Sequence, residues 1–138
     1  MTASKWHNTD VDGSVMRIHV SVAAGSGRFP AIVVMQHQGG VDEFVQRTTE
    51  GLAQAGYVAA APDLYHRDGP DCTDDIVTRR SRLSDRRIIN DIAATVKFLQ
   101  GQDAVAREQI GIIGFCMGGR LALLGAATAP ACKAAVAF

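Results

Sequence analysis

Long apolar runs, an excess of charge of either sign and a paired set of cysteines are all missing from this 138-residue sequence. No apolar run approaches the ~18 residues needed to cross a bilayer, and Met1 to Asn8 carries no apolar signal core, so neither a membrane span nor a leader is expected and the cytoplasm is the expected compartment. Lys plus Arg and Asp plus Glu both number 14, a formal charge of zero. That removes the electrostatic case for nucleic acid or an anionic membrane surface and leaves small neutral or singly charged ligands. The three cysteines, Cys72, Cys116 and Cys132, are odd in number and far apart, which suits neither a disulfide framework nor a zinc ligand set. At least one thiol is therefore free, and no metal or cofactor is expected. Internal repeats and low-complexity segments are also absent.

What is present is enough apolar material, 47% of residues, to build one core. Asp12-Gly13 marks a tight turn, after which Met16, Ile18, Val20 and Val22 alternate with polar residues as in a half-buried strand. His19 falls on the polar phase and reads as solvated. Ala31-Ile32-Val33-Val34-Met35 and Tyr57-Val58-Ala59-Ala60-Ala61 are continuous apolar runs of the kind buried on both faces of a parallel sheet. Between them Phe44, Thr48, Leu52 and Ala55 fall at helical spacing, with Asp42 placed to cap and Gly56 to stop.

The stretch from His66 to Thr73 reads as a polar loop. A helical pattern then runs from Asp74 to Leu83, and a second from Arg86 to Leu99. Ser84 stands as the N-cap of the second, and Ile88, Ile89, Ile92, Val96 and Leu99 form its stripe. Residues 102–108 read as a polar connection, and Lys133 to Phe138 as a further apolar strand. Strands alternating with helices in this way predict an α/β fold, a doubly wound, mostly parallel sheet with helices on both faces and its site at the carboxyl ends of the strands.

Gly111-Ile112-Ile113-Gly114-Phe115-Cys116-Met117-Gly118-Gly119-Arg120 organises the rest. An apolar strand stops at glycine, a cysteine sits at the turn, and an apolar helix follows to about Thr128. This is the strand-turn-helix context of a nucleophile elbow, with Gly-x-Cys-x-Gly in place of the commoner serine form. The cysteine faces a helix N-terminus, whose partial positive charge favours a thiolate. Cys116 is thus the candidate nucleophile. In acyl transfer through such a turn, the oxyanion is held by the N–H after the nucleophile and by an N–H from the loop after an earlier strand. Those are Met117 and Gln38, the latter followed by Gly39 and Gly40.

Three stretches taken together resemble the dienelactone hydrolases of the α/β-hydrolase fold: Pro30 to Gln36, Gly56 to Tyr65, and Gly111 to Gly119. The resemblance covers the chain from about Pro30 onward. It implies a cysteine hydrolase that opens a small ester or lactone through an acyl-enzyme on Cys116. The family's first member acts on a lactone bearing a carboxylate, which would give the cluster Arg79, Arg80, Arg82, Arg86 and Arg87 a role; otherwise the cluster is a solvated helix face.

Two departures accompany the resemblance. The family has a glutamate after the first-loop glutamine, in contact with the resting cysteine, where this chain has His37. That imidazole either pairs with the thiol or simply packs. The family's triad also places an acid and a histidine after the nucleophile, whereas no Asp, Glu or His follows Cys116.

The expectation is therefore a single α/β-hydrolase-like domain over residues 1–138 that is incomplete at the C-terminus, an N-terminal fragment with little triad-dependent turnover. Its exposed last strand would favour self-association. Two other readings compete. A nucleotide-binding module fails because the glycines do not fit Gly-x-Gly-x-x-Gly and no Gly-Lys-Ser/Thr follows. A non-catalytic protein with a redox-sensitive thiol, or an interaction module of the same fold, remains open on sequence alone.

Overall fold

The computed structural model describes all 138 residues. Six strands form one sheet: β1 (Ala3–Val11), β2 (Ser14–Val22), β3 (Phe29–Met35), β4 (Val58–Pro62), β5 (Val105–Gly114) and β6 (Cys132–Ala137). Four helices accompany them: α1 (Glu43–Gln54), α2 (Ile76–Ser81), α3 (Asp85–Gln100) and α4 (Met117–Thr128). The spatial order is β1-β2-β4-β3-β5-β6; β1, β2 and β4 pair antiparallel, while β4, β3, β5 and β6 run parallel. The mostly parallel α/β sheet expected from the sequence is thus the observed fold.

The order carries the functional consequence. After β3 the chain moves outward through α1 to β4, then crosses back to place β5 on the other side of β3. The carboxyl end of β3 is therefore a topological switch point, where an open α/β sheet leaves a crevice. The first loop leaves from that point, and the elbow leaves beside it from β5.

Alternation across β3 divides the core. Val33 packs in the large apolar cluster with Ile88, Ile92, Val96, Leu99, Leu121 and Ala122 of α3 and α4. Val34 turns to the other face and packs with Val45 of α1 and with Ala59 and Ala61. At Gly125 the α3, α4 and sheet layers meet: a Cβ there would lie 2.5 Å from Ile112 Cδ1 and 3.4 Å from Ile92 Cδ1. The caps are as expected, with Asp42 Oδ1 accepting from Val45 N at 3.1 Å and Ser84 Oγ from Arg87 N at 3.4 Å.

Ala3–Val11, on which the sequence offers no pattern, is a strand because it pairs along its whole length with β2 across the Asp12-Gly13 turn. Three expectations need correction. His19 is not solvated. It is 4% exposed, and its Nδ1 lies 2.9 Å from Thr49 Oγ1 of α1, because β2 is an inner strand covered by that helix. Residues 105–108 belong to β5 rather than to a polar connection, and the loop from His66 opens with a 3-10 turn, His66–Asp68. No helix is long and apolar enough to cross a membrane.

Candidate active site

Two strand ends meet here. In the β3–β5 register Met35 is paired with Gly114, so Gln36 and Phe115 leave the sheet side by side, and His37 and Cys116 stand one residue further on. Cys116 is the N-cap residue of α4, with φ 56° and ψ −116°. A non-glycine residue in that region carries strain on the order of 1–3 kcal/mol, the kind of strain found where a side chain is held in place for chemistry. The thiol is exposed, whereas Cys132 is buried and burial pushes its thiol pKa up.

The flanking glycines are obligatory for packing. A Cβ on Gly114 would run into the carbonyl of Gly118; one on Gly118 would meet the carbonyls of Met35 and Gln36, the latter at 2.5 Å. The turn is therefore closed against both strand ends, and neither partner in these clashes is a flexible side chain.

Met117 is the first residue of α4, and its N–H has no intrahelical acceptor. The N–H of Gln38 likewise enters no backbone hydrogen bond. The rest of Gln38 is fixed. Its carbonyl accepts from Tyr65 Oη at 2.6 Å, and its Oε1 accepts from Arg80 Nη1 at 2.9 Å. Burial raises the Tyr65 phenol above its ordinary pKa, against the opposing pull of Arg79 and Arg80, so it stays a donor. Gln36, fully buried, ties the two loops: its Oε1 accepts from Leu64 N at 2.9 Å and its Nε2 donates to the His37 carbonyl at 3.3 Å. Gly40 has φ +82°, which a side chain would resist.

His37 makes no hydrogen bond to Cys116. Its Nε2 lies 2.8 Å from Asp42 Oδ2, and its ring meets Phe44 edge-on at 5.7 Å. Phe44 in turn meets Phe115 at 5.1 Å, and Phe115 stacks on Phe138 at 5.0 Å, an aromatic row running past the elbow.

Of the five arginines, Arg79 pairs with Asp68 and lies over Tyr65, and Arg82 pairs with Asp68 and Asp74. Arg86 and Arg87 form no ion pair, and Arg80 alone reaches the first loop. Arg120, beside the elbow, is held by Asp85 through two bonds of 2.9 and 2.6 Å.

A cleft of about 500 Å³ is lined by Gly39, Gly40, Asp42, Tyr65 and Arg79 among others. Cys116 is not on its wall, so the nucleophile is assigned from the elbow's geometry and not from the cleft. Ser14, His66 and Asp91 also meet, with His66 Nδ1 2.8 Å from Ser14 Oγ and His66 Nε2 2.9 Å from Asp91 Oδ1. The side chains of His66 and Asp91 are 1% and 0% exposed, and Asp91 also binds Arg67, so this trio ties β2 and the 66–68 turn to α3. No group of His, Cys, Asp and Glu is arranged to hold a metal ion.

The profile of the dienelactone hydrolase family matches residues 17–138. The chain belongs to that family. Over 129 residues it is 38% identical to a Methylorubrum extorquens protein provisionally named carboxymethylenebutenolidase, covering 90% of this chain and 44% of that one. A Bradyrhizobium protein named "Probable 2-oxo-3-(5-oxofuran-2-ylidene)propanoate lactonase" is 32% identical over 139 residues, 99% of this chain and 56% of the relative. A crystal structure of a provisionally named dienelactone hydrolase from Klebsiella pneumoniae superposes with a TM-score of 0.88 at 31% identity, over 99% of this chain and 59% of that one. The chain thus spans about half the length of these relatives.

Sequence reasoning placed Cys116, Gln38, Met117 and His37 at one end of the sheet, and they are there. It missed the roles of Tyr65 and Arg80 in fixing Gln38, the tie that Gln36 makes between His37 and Leu64, and the contact of Asp42 with His37. A glutamine closing an apolar strand run was the one visible signal, since no structural period links these positions.

Proposed function

We propose that this chain carries the acylation half of a dienelactone-hydrolase-type centre acting on small esters or lactones, with Cys116 as nucleophile. The observation that carries the reading is the strained, exposed Cys116 at the end of β5, beside the end of β3, with the N–H groups of Gln38 and Met117 left without a backbone acceptor. In this reading the Cys116 thiolate attacks the carbonyl carbon and the two N–H groups hold the resulting oxyanion. The carbon–oxygen bond to the alcohol half breaks, and that oxygen takes up a proton as the thioester forms. Water later releases the acid and restores the thiol. His37 is the candidate thiol partner. Arg80, already beside Gln38, is the cation best placed for a substrate carboxylate of the kind the Bradyrhizobium relative's name contains.

With p-nitrophenyl acetate we expect a stoichiometric burst of p-nitrophenolate, with the acetyl group located on the Cys116 peptide by mass spectrometry. Cys116→Ala should abolish both signals. Release that is indifferent to that substitution overturns the reading.

We further propose self-association through β6. Its residues after Cys132 are all exposed, and Val136, Phe138 and Leu123 of α4 leave apolar surface beside it. Sedimentation should show mass rising with concentration, and Val136→Lys should suppress the rise; a monomer at all concentrations overturns this part.

A further inference from the structure

His37 and Asp42 form an imidazole–carboxylate pair at the carboxyl end of β3, five residues apart on one loop. Asp42 is held at both oxygens: Oδ1 accepts from Val45 N at the start of α1 (3.1 Å), and Oδ2 lies 2.8 Å from His37 Nε2. A carboxylate only accepts, so Nε2 is the ring nitrogen that donates to Asp42, and Nδ1 has no hydrogen-bond partner in the protein. The ring is also fixed sterically. A Cβ on Gly39 would lie 3.0 Å from His37 Cε1 and 3.2 Å from Nε2, so the chain leaves room for the imidazole by using glycine there, and Phe44 abuts it on a third side.

The pair lies level with the elbow. Met35 and Gly114 are register partners on neighbouring parallel strands, about 4.8 Å apart. His37 and Cys116 each stand two residues beyond them. Phe44, against the His37 ring, also touches Phe115, the residue before the thiol.

We infer that Asp42 is a positioning residue that holds His37 with Nδ1 as a proton acceptor for Cys116, so that residues 37–116 contain a nucleophile, base and acid of their own. The inference rests on reading Cys116 as the nucleophile. The proton leaves Cys116 Sγ and passes to His37 Nδ1, giving thiolate and imidazolium. Nε2–H stays on Asp42, whose charge offsets the new cation without accepting the proton. The imidazolium then returns its proton to the leaving alkoxide. Of the charged or titratable groups nearby, Glu43 binds Arg47, Arg80 and the Tyr65 phenol are on Gln38, and Arg120 is on Asp85. On the cleft wall shared with Asp42, Arg79 pairs with Asp68 and Asp63 accepts from Tyr65 N. On the thiol's side the field is that of the α4 N-terminus.

Alkylation of Cys116 by iodoacetamide, read on the Cys116 peptide so that Cys72 and Cys132 do not interfere, tests this in the intact chain. A free thiol titrates near about 8.5; a partnered one reacts at lower pH. We expect the rate at neutral pH to fall about tenfold in His37→Gln and about threefold or more in Asp42→Asn, with both profiles moving to higher pH. Asparagine can still cap α1, so a loss in Asp42→Asn does not report an unwound helix. Imidazole 15N NMR should show His37 protonated at Nε2, and Asp42→Asn should erode that preference.

Alkylation profiles unchanged in both variants, or a His37 protonated at Nδ1 in the parent protein, overturn the inference. The ester burst separates the two proposals. A burst with unchanged alkylation profiles leaves the hydrolase reading standing without the pair, whereas His37-dependent alkylation without a burst leaves the pair standing without the hydrolase.

Discussion

Gly114 and Gly118 touch backbone to backbone across the elbow: the position of a Cβ on Gly114 falls on the carbonyl of Gly118. Gly118 is pressed in turn on the carbonyls of Met35 and Gln36, so the turn, the helix it starts and the end of β3 are one packed unit. Since nothing flexible can move aside, a single methyl must shift main chain. Gly114→Ala should therefore destabilise the protein by about 2–3 kcal/mol or more, at the top of the range for overpacking. Gly51→Ala, at a site with nothing near the added carbon, should cost nothing comparable. Urea midpoints of the two variants, compared at constant slope, check this.

Cys116 sits at φ 56°, which glycine adopts freely and cysteine does not. Replacing it removes strain as well as the thiol. Cys116→Gly should leave the fold more stable by about 0.5–1 kcal/mol while ending acylation, whereas Cys116→Ala should end acylation without the gain. Thermal melts of the two variants decide it. Equal stability would mean that the elbow stores little strain.

The strands that carry the site were legible because β3 and β4 are buried on both faces, which forces continuous apolar runs. The elbow was legible because its glycines are demanded by backbone contacts, and the caps because Asp42 and Ser84 stand immediately before amphipathic runs. What could not be read depends on a partner distant in sequence. Ala3–Val11 has no stripe of its own and becomes a strand by pairing with β2. Asp42 was visible as a cap, but its second bond, to His37, spans five residues of irregular loop and matches neither the helical nor the strand period. His19 looked polar-facing because its neighbours' alternation is regular, and only Thr49, thirty residues on, shows that this face is covered.

His19 gives a pH prediction. It joins a buried row in which Thr49 Oγ1 lies 2.9 Å from both His19 Nδ1 and Ser21 Oγ, and burial holds its imidazole below the ordinary pKa, with Glu50 opposing. The folded protein therefore binds a proton at His19 less readily than the unfolded chain. Stability from this residue is full above the unfolded value of about 6.5 and is lost as the pH falls below it. The urea midpoint should drop between about pH 7.5 and 5.5, and His19→Gln should reduce the part of that drop seen in the parent protein. A drop of the same size in the variant would assign the acid sensitivity elsewhere.

Asp91 is fully buried, and on it converge His66 Nε2 at 2.9 Å and Arg67 through Nη1 at 3.0 Å and Nη2 at 2.9 Å. Arg67 Nε has no partner, so the guanidinium already lacks one bond. The charges are tolerated because each has a counterpart; with the carboxylate removed, a largely buried guanidinium loses its main partner and keeps only the exposed Asp12 and, at 3.4 Å, the Arg87 carbonyl. Asp91→Ala should therefore cost about 3–5 kcal/mol, the cost of stranding a buried charge, whereas Asp12→Ala should cost well under half as much. Because the network joins the 66–68 turn to α3 and β2 rather than to the elbow, the folded fraction of Asp91→Ala should alkylate at Cys116 at the parental rate. Denaturation monitored alongside Cys116 alkylation checks both halves, and a fall in the alkylation rate with little loss of stability would place Asp91 in the site instead of the scaffold.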